Sequence, residues 1–392
     1  MVVERIEDAA GFEKLREEWN ELLQASASNC LFLTWEWLHT WWKHLSGDRR
    51  LFIIAVRCGQ KLVAIAPFAV RPRGLTRLLP FPSLTFIGTG SVGSNYLDLI
   101  IRKGTETEAL QALAEYLARE KLMVELDELK RGRSFAGLLA TQLKGRDWSH
   151  SETKINICPF IRLSGHSFES YLASLDSKNH SDLRRRLRKL DREFDVCFEQ
   201  AVSEEKRDEA LSVLFALHHK RWRERGGSAS FHTPGLVSFH EELSRLALDR
   251  GWLRLFLLRL DGKPAGARYG FIYNRTFYSY QSGFDPVYRR HGIGLIATLL
   301  AIKSAIREGA EEYDLLAGTE EYKFRLARET RELARLDLYP PGARGLLYRQ
   351  VLMLSRAAKK MARRILPKAA ADRLAARRPI GVWREGDVAA AH

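Results

Sequence analysis

The sequence predicts an α/β protein in which one unit, a mixed sheet flanked by helices, occurs twice. A strand, a glycine turn and a second strand are found at 51–70 and again at 255–273, and their first strands begin with the similar letters LFII and LFLL. A third run, 278–323, has the pattern of a strand, a tight loop, an amphipathic helix, a strand and a polar loop. Strands that alternate with helices indicate the α/β class.

The length and charge of the chain fit two domains and a basic tail. With 392 residues, we expect an N-terminal domain over 1–155, a C-terminal domain over 156–340 and a tail over 341–392. The tail holds twelve Arg and Lys against three Asp and Glu, a net charge of +9 out of +15 for the whole chain. Because the charge is concentrated there, the basic composition does not by itself indicate nucleic-acid binding. We expect a basic amphipathic helix and then a partly disordered end.

The sequence also indicates a cellular compartment. No apolar run reaches the roughly 18 residues of a membrane span, and no secretory apolar region opens the chain, so we expect a cytoplasmic protein. The four cysteines lie far apart and form neither a CxxC pair nor a Cys/His ligand set. We therefore expect no disulfide framework and no metal site.

The first half is predicted to begin with two helices rich in tryptophan. Residues 11–24 and 32–42 carry aromatic and leucine side chains at helical spacing, which is more typical of core packing than of a ligand-stacking platform. The further elements predicted in this half are strands at 51–56, 62–70, 84–87, 95–100 and 123–126 and a helix at 107–119.

Residues 88–93 match the GxGxxG pattern of dinucleotide-binding proteins letter for letter. Such a site needs a helix directly after the glycines, whereas the strand predicted at 95–100 follows here. We interpret these glycines as a flexible loop.

Residues 177–194 predict an amphipathic basic helix, with leucines on one face and arginines and lysines on the rest. Lys178, His180 and Arg184 lie near its start, where they could reach an anionic substrate. A solvated charged face is the alternative interpretation.

The next predicted helix, 211–227, contains the adjacent pair His218 and His219. Adjacent residues do not share a helix face, and no third ligand lies at a useful spacing. This pair therefore does not predict a metal site.

The loop RRHGIG at 289–294 has the features of an anion site. Apolar residues recur at three- and four-residue steps after it, so a helix is predicted from Ile293. The first N–H groups of a helix have no intrahelical partners, and the helix dipole adds positive charge there. Glycines that let a phosphate approach the backbone, with two arginines beside them, would complete such a site. A glycine turn with solvated arginines is the alternative.

The motif Arg289-x-x-Gly292-x-Gly294, between a strand and a helix, resembles the pyrophosphate loop of GNAT acyltransferases. Over residues 10–340, the order of several phrases is similar to that of the CelD/BcsL-like branch, also called BioF2-like acetyltransferases. These phrases are WEWLHTWW, the basic helix, HHKRWRERGG, LRLFLLRLDGKPAGARYGFIY, YQSGFDPVYRRHGIG and YDLLAGTEEYKFRLA. Many members have Ser-Pro-Gly around the loop where this chain has Arg290-His291-Gly292, a departure that favours a functional acyl-CoA site. The resemblance implies tandem GNAT folds, and the first copy is degenerate because it lacks the loop.

The resemblance implies an acyltransferase that uses acyl-CoA, most simply acetyl-CoA, as co-substrate and no metal. The acyl group would pass to an amine or hydroxyl of a small-molecule, saccharide or peptide acceptor, in cell-envelope or exopolysaccharide (cellulose) biosynthesis. The backbone N–H groups of Gln281, Ser282 and Gly283 would polarise the thioester carbonyl. The pyrophosphate would bind to the loop residues, which are Arg289, Arg290, His291, Gly292, Ile293 and Gly294.

Acceptor chemistry is expected in the polar loop at 320–323. Glu320 is the candidate base or acceptor-orienting group, Tyr322 the candidate acid that protonates the thiolate, and Lys323 an electrostatic stabiliser. Tyr280 would line the acceptor pocket. A polar loop that simply follows a strand is the alternative.

Two other functions stay open. The tandem arrangement also resembles the Fem-type peptidyltransferases, which use aminoacyl-tRNA as donor, and the basic helix would then bind tRNA; otherwise nucleic acid is not an expected partner. A non-catalytic scaffold of polysaccharide assembly is the second alternative. The basic tail suits peripheral contact with an anionic membrane, and a helix that packs back on the protein fits it equally.

Overall fold

The computed structural model describes residues 1–71, 82–223 and 231–365, and the chain forms two compact units. Unit 1 contains residues 1–42, 46–155 and the described residues from 334 on, whereas unit 2 contains residues 43–45 and 156–333. The predicted α/β class is confirmed.

The elements of the first 162 residues are, in chain order, β1 (Val2–Ile6), α1 (Ala9–Lys14), α2 (Arg16–Gln24), a 3-10 helix (Leu31–Leu33), α3 (Trp35–Leu45), β2 (Arg50–Cys58), β3 (Lys61–Arg71), β4 (Ser83–Phe86), β5 (Ile100–Ile101), α4 (Glu106–Glu120), β6 (Met123–Lys130), α5 (Phe135–Lys144) and β7 (Ser149–Arg162). In unit 1, β1, β2, β3, β4 and β6 are neighbours in that order, and β5 also pairs with β3. β4 and β6 run parallel, whereas the pairs from β1 to β4 are antiparallel.

The core of unit 1 contains the predicted tryptophan cluster. Trp19, Trp37 and Trp41 are all fully buried. Their indole N–H groups find partners: Trp19 Nε1 donates to the Leu33 carbonyl at 2.8 Å, and Trp37 Nε1 to the Ser94 hydroxyl at 2.8 Å. Buried indoles with satisfied N–H groups are core residues, which confirms the packing interpretation.

The strand predicted at 95–100 is wrong except for its end, because β5 comprises Ile100–Ile101 alone. Polar side chains hold the preceding chain as a loop. Asp98 accepts the N–H groups of Leu99, Phe135 and Ala136, and Tyr96 adopts a φ of +61°, which interrupts an extended strand. No helix follows the glycines at 88–93 before α4, so their interpretation as a loop is confirmed.

The remaining elements are α6 (Phe168–Ser174), α7 (Ser177–Glu193), β8 (Val196–Gln200), α8 (Glu204–Arg223), α9 (Pro234–Asp249), β9 (Leu253–Leu260), β10 (Lys263–Tyr273), β11 (Thr276–Phe284), a 3-10 helix (Pro286–His291), α10 (Ile293–Arg307), β12 (Glu312–Asp314), α11 (Glu321–Leu326), β13 (Glu329–Tyr339) and α12 (Ala343–Ile365). In unit 2 the strands follow the order β7-β12-β11-β10-β9-β8. The β11–β12 pair is parallel, and the other pairs in this series are antiparallel.

Helices cover both faces of the unit 2 sheet. A Cβ atom added at Gly283 of β11 would lie 2.9 Å from the His218 backbone nitrogen of α8. One added at Gly266 of β10 would lie 3.0 Å from Ile293 of α10, which packs on the opposite face. Side chains of a strand alternate between faces, so α8 and α10 enclose the sheet where β10 begins and β11 ends.

One predicted loop is a helix, and two predicted helices extend beyond the described residues. The polar loop predicted at 320–323 is wrong, because α11 begins at Glu321 and buries its lysine, Lys323. The helix predicted at 211–227 begins earlier, as α8, and residues 224–227 lie outside the described residues. Within the tail, α12 is the predicted helix, and residues 366–392 lie outside the described residues.

None of the described helices has the length and apolar character needed to cross a membrane.

Candidate functional site

The site of interest in unit 2 lies where two parallel strands separate. β12 pairs with β11 only through Thr276, Phe277 and Tyr278, although β11 continues to Phe284. Tyr280 is an extra residue in β11, because Tyr269 pairs with Gln281 whereas the next residue, Gly270, pairs with Ser279. The segment from Ser279 onward therefore has no β12 partner, and it contains the predicted donor-binding residues Gln281, Ser282 and Gly283.

The predicted anion loop follows β11 directly. Asp285 begins it by accepting the Val287 N–H at 3.0 Å, and the following 3-10 helix ends at Gly292, whose φ is +69°. Gly292 is also the N-cap of α10, and no side chain caps this helix. The first N–H groups of α10 thus lack a capping side chain, as an anion site at a helix N-terminus requires.

Positive side chains surround this helix N-terminus. Arg289 and Arg290 are exposed. Arg186, on α7, reaches the same place, since a Cβ added at Gly292 would lie 2.9 Å from its Nη1 atom. Asp182 holds Arg186 through a 2.8 Å bond from Nε and also accepts from Arg325 at 2.8 Å. Three arginines, one of them fixed by a carboxylate, therefore flank the glycine.

Two loop residues face the protein interior. His291 is 8% exposed; its Nδ1 lies 3.3 Å from the Glu193 carboxylate, and its Nε2 accepts from Arg290 Nε at 3.0 Å. The Ile293 side chain is buried with Leu190 of α7 in one core cluster. Consequently, the side chains of His291 and Ile293 hold the loop on α7.

The predicted substrate-binding residues of α7 do not gather at this loop. Arg184 is exposed and pairs with Glu169, and Lys178 is exposed near the start of the helix. The His180 Nε2 atom is buried without a hydrogen-bond partner among the described residues. Sequence reasoning missed Arg186, although a signal existed: Arg186 lies three residues after Leu183 and four before Leu190, at the border of the apolar face.

The predicted catalytic residues form one tight group around α11. Lys323 is 4% exposed, and its Nζ donates to the carbonyls of Leu316 at 3.1 Å and Ala317 at 2.8 Å. The same Nζ lies 3.1 Å from Glu320 Oε2, and the Glu320 side chain is 28% exposed. Tyr322 is half-buried and packs against the core beneath α10. Lys323 thus fastens the chain that follows β12, and Glu320 and Tyr322 border solvent.

Tyr280 lies on the other face of the sheet, against α8 and α9. Its ring centroid is 5.6 Å from that of His240 and 5.6 Å from that of Tyr269. Burial raises the pKa of Tyr280 well above its usual value, and it lowers the pKa of His240 to about 3. Both side chains are therefore neutral near pH 7.

His218 belongs to the same face, where its Nδ1 lies 3.3 Å from the Ser282 carbonyl. Burial lowers the pKa of His218 to about 4. Its neighbour His219 is directed to the Phe215 carbonyl of its own helix. Among the residues that the structure describes, no group of His, Cys, Asp and Glu side chains could hold a metal ion.

Known proteins share this fold. Residues 177–324 match the family model described as "Acetyltransferase (GNAT) domain", a range that runs from the start of α7 through the loop into α11. Among solved structures, FemX is 12% identical with a TM-score of 0.59, over 86% of this chain and 97% of that chain. No curated protein matches the sequence.

Two further solved structures are similar. The C-terminal domain of a putative lysylphosphatidylglycerol synthetase from Agrobacterium fabrum is 9% identical with a TM-score of 0.52, over 84% of this chain and 92% of that chain. L-PGS from Bacillus licheniformis is 11% identical with a TM-score of 0.51, over 82% of this chain and 90% of that chain. At such low identities the likeness concerns the fold, and this chain has a GNAT/Fem-like fold.

Proposed function

We propose that this protein transfers an acyl group, most simply acetyl, from acyl-CoA to an amine or hydroxyl of an acceptor. The observation that carries the proposal is the start of α10: its N-terminus has no capping side chain, Gly292 leaves the backbone open, and Arg186, Arg289 and Arg290 supply positive charge. A pyrophosphate has the charge and the acceptor oxygens that such a site binds.

The separation of β11 from β12 supports the proposal that the thioester of the donor lies between these two strands. N–H groups on the edge of β11 beyond its pairing with β12 can donate to a carbonyl oxygen and stabilise the oxyanion that forms on it. In this proposal, Gln281, Ser282 and Gly283 supply that edge. The anion loop follows the same strand directly, so one continuous segment, 281–294, would contact both ends of the donor.

The residues around α11 would move the protons. As the acceptor nitrogen or oxygen bonds to the carbonyl carbon, its proton passes to Glu320, directly or through water. When the carbon–sulfur bond breaks, the proton of the Tyr322 hydroxyl passes to the sulfur. Lys323 holds Glu320 and the chain after β12 in place and adds positive charge. The acceptor would reach the carbonyl beside Glu320, and we retain a small molecule, saccharide or peptide as its class.

Calorimetry with CoA and acetyl-CoA tests the donor site. Replacing Arg186 by Gln should weaken CoA binding about tenfold, the effect of one lost charge-assisted contact. Gly292→Val should abolish binding, because a β-branched residue is strained at φ +69° and its side chain would meet Arg186. Arg188→Gln is the matched control, since Arg188 is an exposed arginine of the same helix. If neither ligand binds the unaltered protein, the proposal is wrong.

An aminoacyl-tRNA donor is the second candidate, and the surface of α7 favours it. Arg184, Arg185, Arg188, Lys189 and Arg192 are all exposed on this one helix. A row of exposed cations attracts the phosphate backbone of nucleic acid. Fluorescence anisotropy with charged tRNA at several salt concentrations tests it. Tight tRNA binding that Arg188→Gln weakens, with no binding of CoA, would favour this donor over acyl-CoA.

We also propose that the tail contacts an anionic membrane surface while its first turns pack on unit 1. Tyr348 and Leu352 of α12 are buried in a cluster with Met123 and Tyr339. Leu346, Leu347, Met353 and Leu354 are exposed on the same helix, which also carries many Arg and Lys residues. An exposed apolar strip beside cations is the pattern of helices that lie on anionic lipid.

A further inference from the structure

Arg268 of β10 is a buried cation to which the proposed reaction has so far given no role. It is 4% exposed, and its Nη2 donates to the Ser279 hydroxyl at 2.7 Å. The Tyr313 hydroxyl donates to the same Ser279 oxygen at 3.3 Å. The guanidinium also forms a hydrogen bond to the Tyr322 hydroxyl. Among the described residues, its Nε has no hydrogen-bond partner and no carboxylate pairs with it.

Other arginines of unit 2 have carboxylate partners, which Arg268 lacks among the described residues. Arg207, also buried, pairs with Glu204 at 2.6 Å and with Asp208 at 2.7 Å. Arg254, on the strand next to β10, bonds to Glu308 at 2.6 Å. A buried cation is costly unless an anion compensates it. Among the described residues, the groups that contact the Arg268 guanidinium are hydroxyls, so we expect the compensating anion to come from a ligand.

The position of Arg268 connects it to the proposed site. Ser279 is the first residue of β11 beyond the three that pair with β12, and Ser282 is the direct cross-strand partner of Arg268. Tyr322, the proposed acid, touches the guanidinium from α11. The uncompensated charge therefore lies beside the separation of β11 and β12, where the thioester and the acceptor would meet.

We propose that Arg268 binds a carboxylate of the substrate, an inference that rests on the proposed acyl transfer. A guanidinium presents a planar pair of donors that matches a carboxylate, and the hydroxyls of Ser279 and Tyr313 can turn to donate to the same group. The carboxylate has two sources: the far end of a dicarboxylic acyl group on the donor, or a carboxylate of the acceptor. In either case the enzyme distinguishes an acidic substrate from its neutral analogue.

The donor source is tested by calorimetry on the full chain with CoA, butyryl-CoA and succinyl-CoA, since the two acyl groups have the same number of carbons. We expect succinyl-CoA to bind at least tenfold more tightly than butyryl-CoA. Arg268→Met should remove this preference and leave the affinity for CoA within about twofold, the ordinary spread of such measurements. Arg254→Met, whose arginine already has a carboxylate partner, should keep the preference.

The acceptor source is tested with minimal probes in the presence of saturating CoA. Glycine should raise the melting temperature of the unaltered protein more than glycinamide does, and Arg268→Met should remove the difference. If neither the succinyl group nor glycine is preferred over its neutral analogue, the inference is wrong. The comparison within the unaltered protein decides this even if Arg268→Met does not fold. Failure of CoA itself to bind would instead refute the proposed function.

Discussion

At the level of single residues, Lys323 holds together the chain that follows β12. Its buried ammonium has three partners, the carbonyls of Leu316 and Ala317 and the carboxylate of Glu320. Lys323→Met would remove the donor to two carbonyls and the charge that faces Glu320, so we expect a loss of about 2–4 kcal/mol in the free energy of unfolding, measured with urea. Glu320→Gln keeps a hydrogen-bond acceptor and should lower the free energy of unfolding by less than about 1 kcal/mol. Equal stability of both variants would show that Lys323 has no structural role.

His240 gives the molecule a predicted sensitivity to acid. Burial lowers the pKa of His240 to about 3, and its Nδ1 has no partner among the described residues. The unfolded chain takes up this proton near its ordinary pKa of about 6.5, whereas the folded chain does not. The stability due to the neutral ring is therefore complete above pH 6.5 and is lost as the pH falls toward 3, about 2 kcal/mol of it by pH 5.

His240→Phe tests this pH dependence, because Phe fits among the aromatic neighbours Phe231, Phe239 and Tyr269. We expect the free energy of unfolding of this variant to fall less between pH 7 and pH 5 than that of the unaltered protein. Denaturant unfolding at several pH values measures this difference. His219→Phe is the control, since His219 is exposed. An unchanged slope in His240→Phe would contradict the assignment.

The residues of the anion loop were predictable from the sequence, whereas the residues that helix and strand packing bring to the site were not. The spacing of Arg289, Gly292 and Gly294 is a local pattern, and the structure places it at the N-terminus of α10. Arg186 and Arg268 are distant from the loop in sequence and reach the region only through helix and strand packing. A buried arginine in an apolar strand is the one signal that could have indicated Arg268.

At the level of elements, hydrophobic periodicity predicted most helices and strands, and it failed where side chains replaced backbone partners. The helix from Ile293 and the repeated strand pairs are confirmed. The strand predicted at 95–100 is wrong because the Asp98 side chain accepts the Leu99 N–H and the first N–H groups of α5, and Tyr96 has a φ of +61°. Apolar alternation does not reveal such polar side-chain contacts.

The exposed apolar strip of α12 is predicted to bind anionic lipid. Leu346→Glu combined with Leu354→Glu should reduce binding to phosphatidylglycerol vesicles severalfold in a sedimentation assay, because both side chains are more than half exposed and would enter the lipid boundary. Leu138→Glu, an exposed leucine of α5, is the matched control. Vesicle binding that does not change in the double variant would exclude a lipid role for this strip.

At the level of the whole molecule, the repeat in the sequence indicated two units, but it could not show that unit 1 is discontinuous. Glu125 of β6 is 2% exposed and is contacted by Arg71, by Arg335 of β13 and by the Tyr348 hydroxyl of α12. Burial alone would raise the pKa of Glu125, but Arg71 and Arg335 lower it to about 2. Residues beyond 333 thus neutralise a buried charge of the N-terminal half.

This charge cluster predicts how fragments of the chain will behave. A fragment of residues 1–155 retains Glu125 but loses Arg335 and Tyr348, and removing partners of a buried charge typically costs about 3–5 kcal/mol. We expect this fragment to be largely unfolded by circular dichroism. Joining residues 334–365 to it through a flexible linker should restore a cooperative urea transition, and Glu125→Gln should stabilise the short fragment relative to its own parent, because the amide carries no charge to neutralise. A cooperative transition in fragment 1–155 itself would show that unit 1 does not depend on the distant segment.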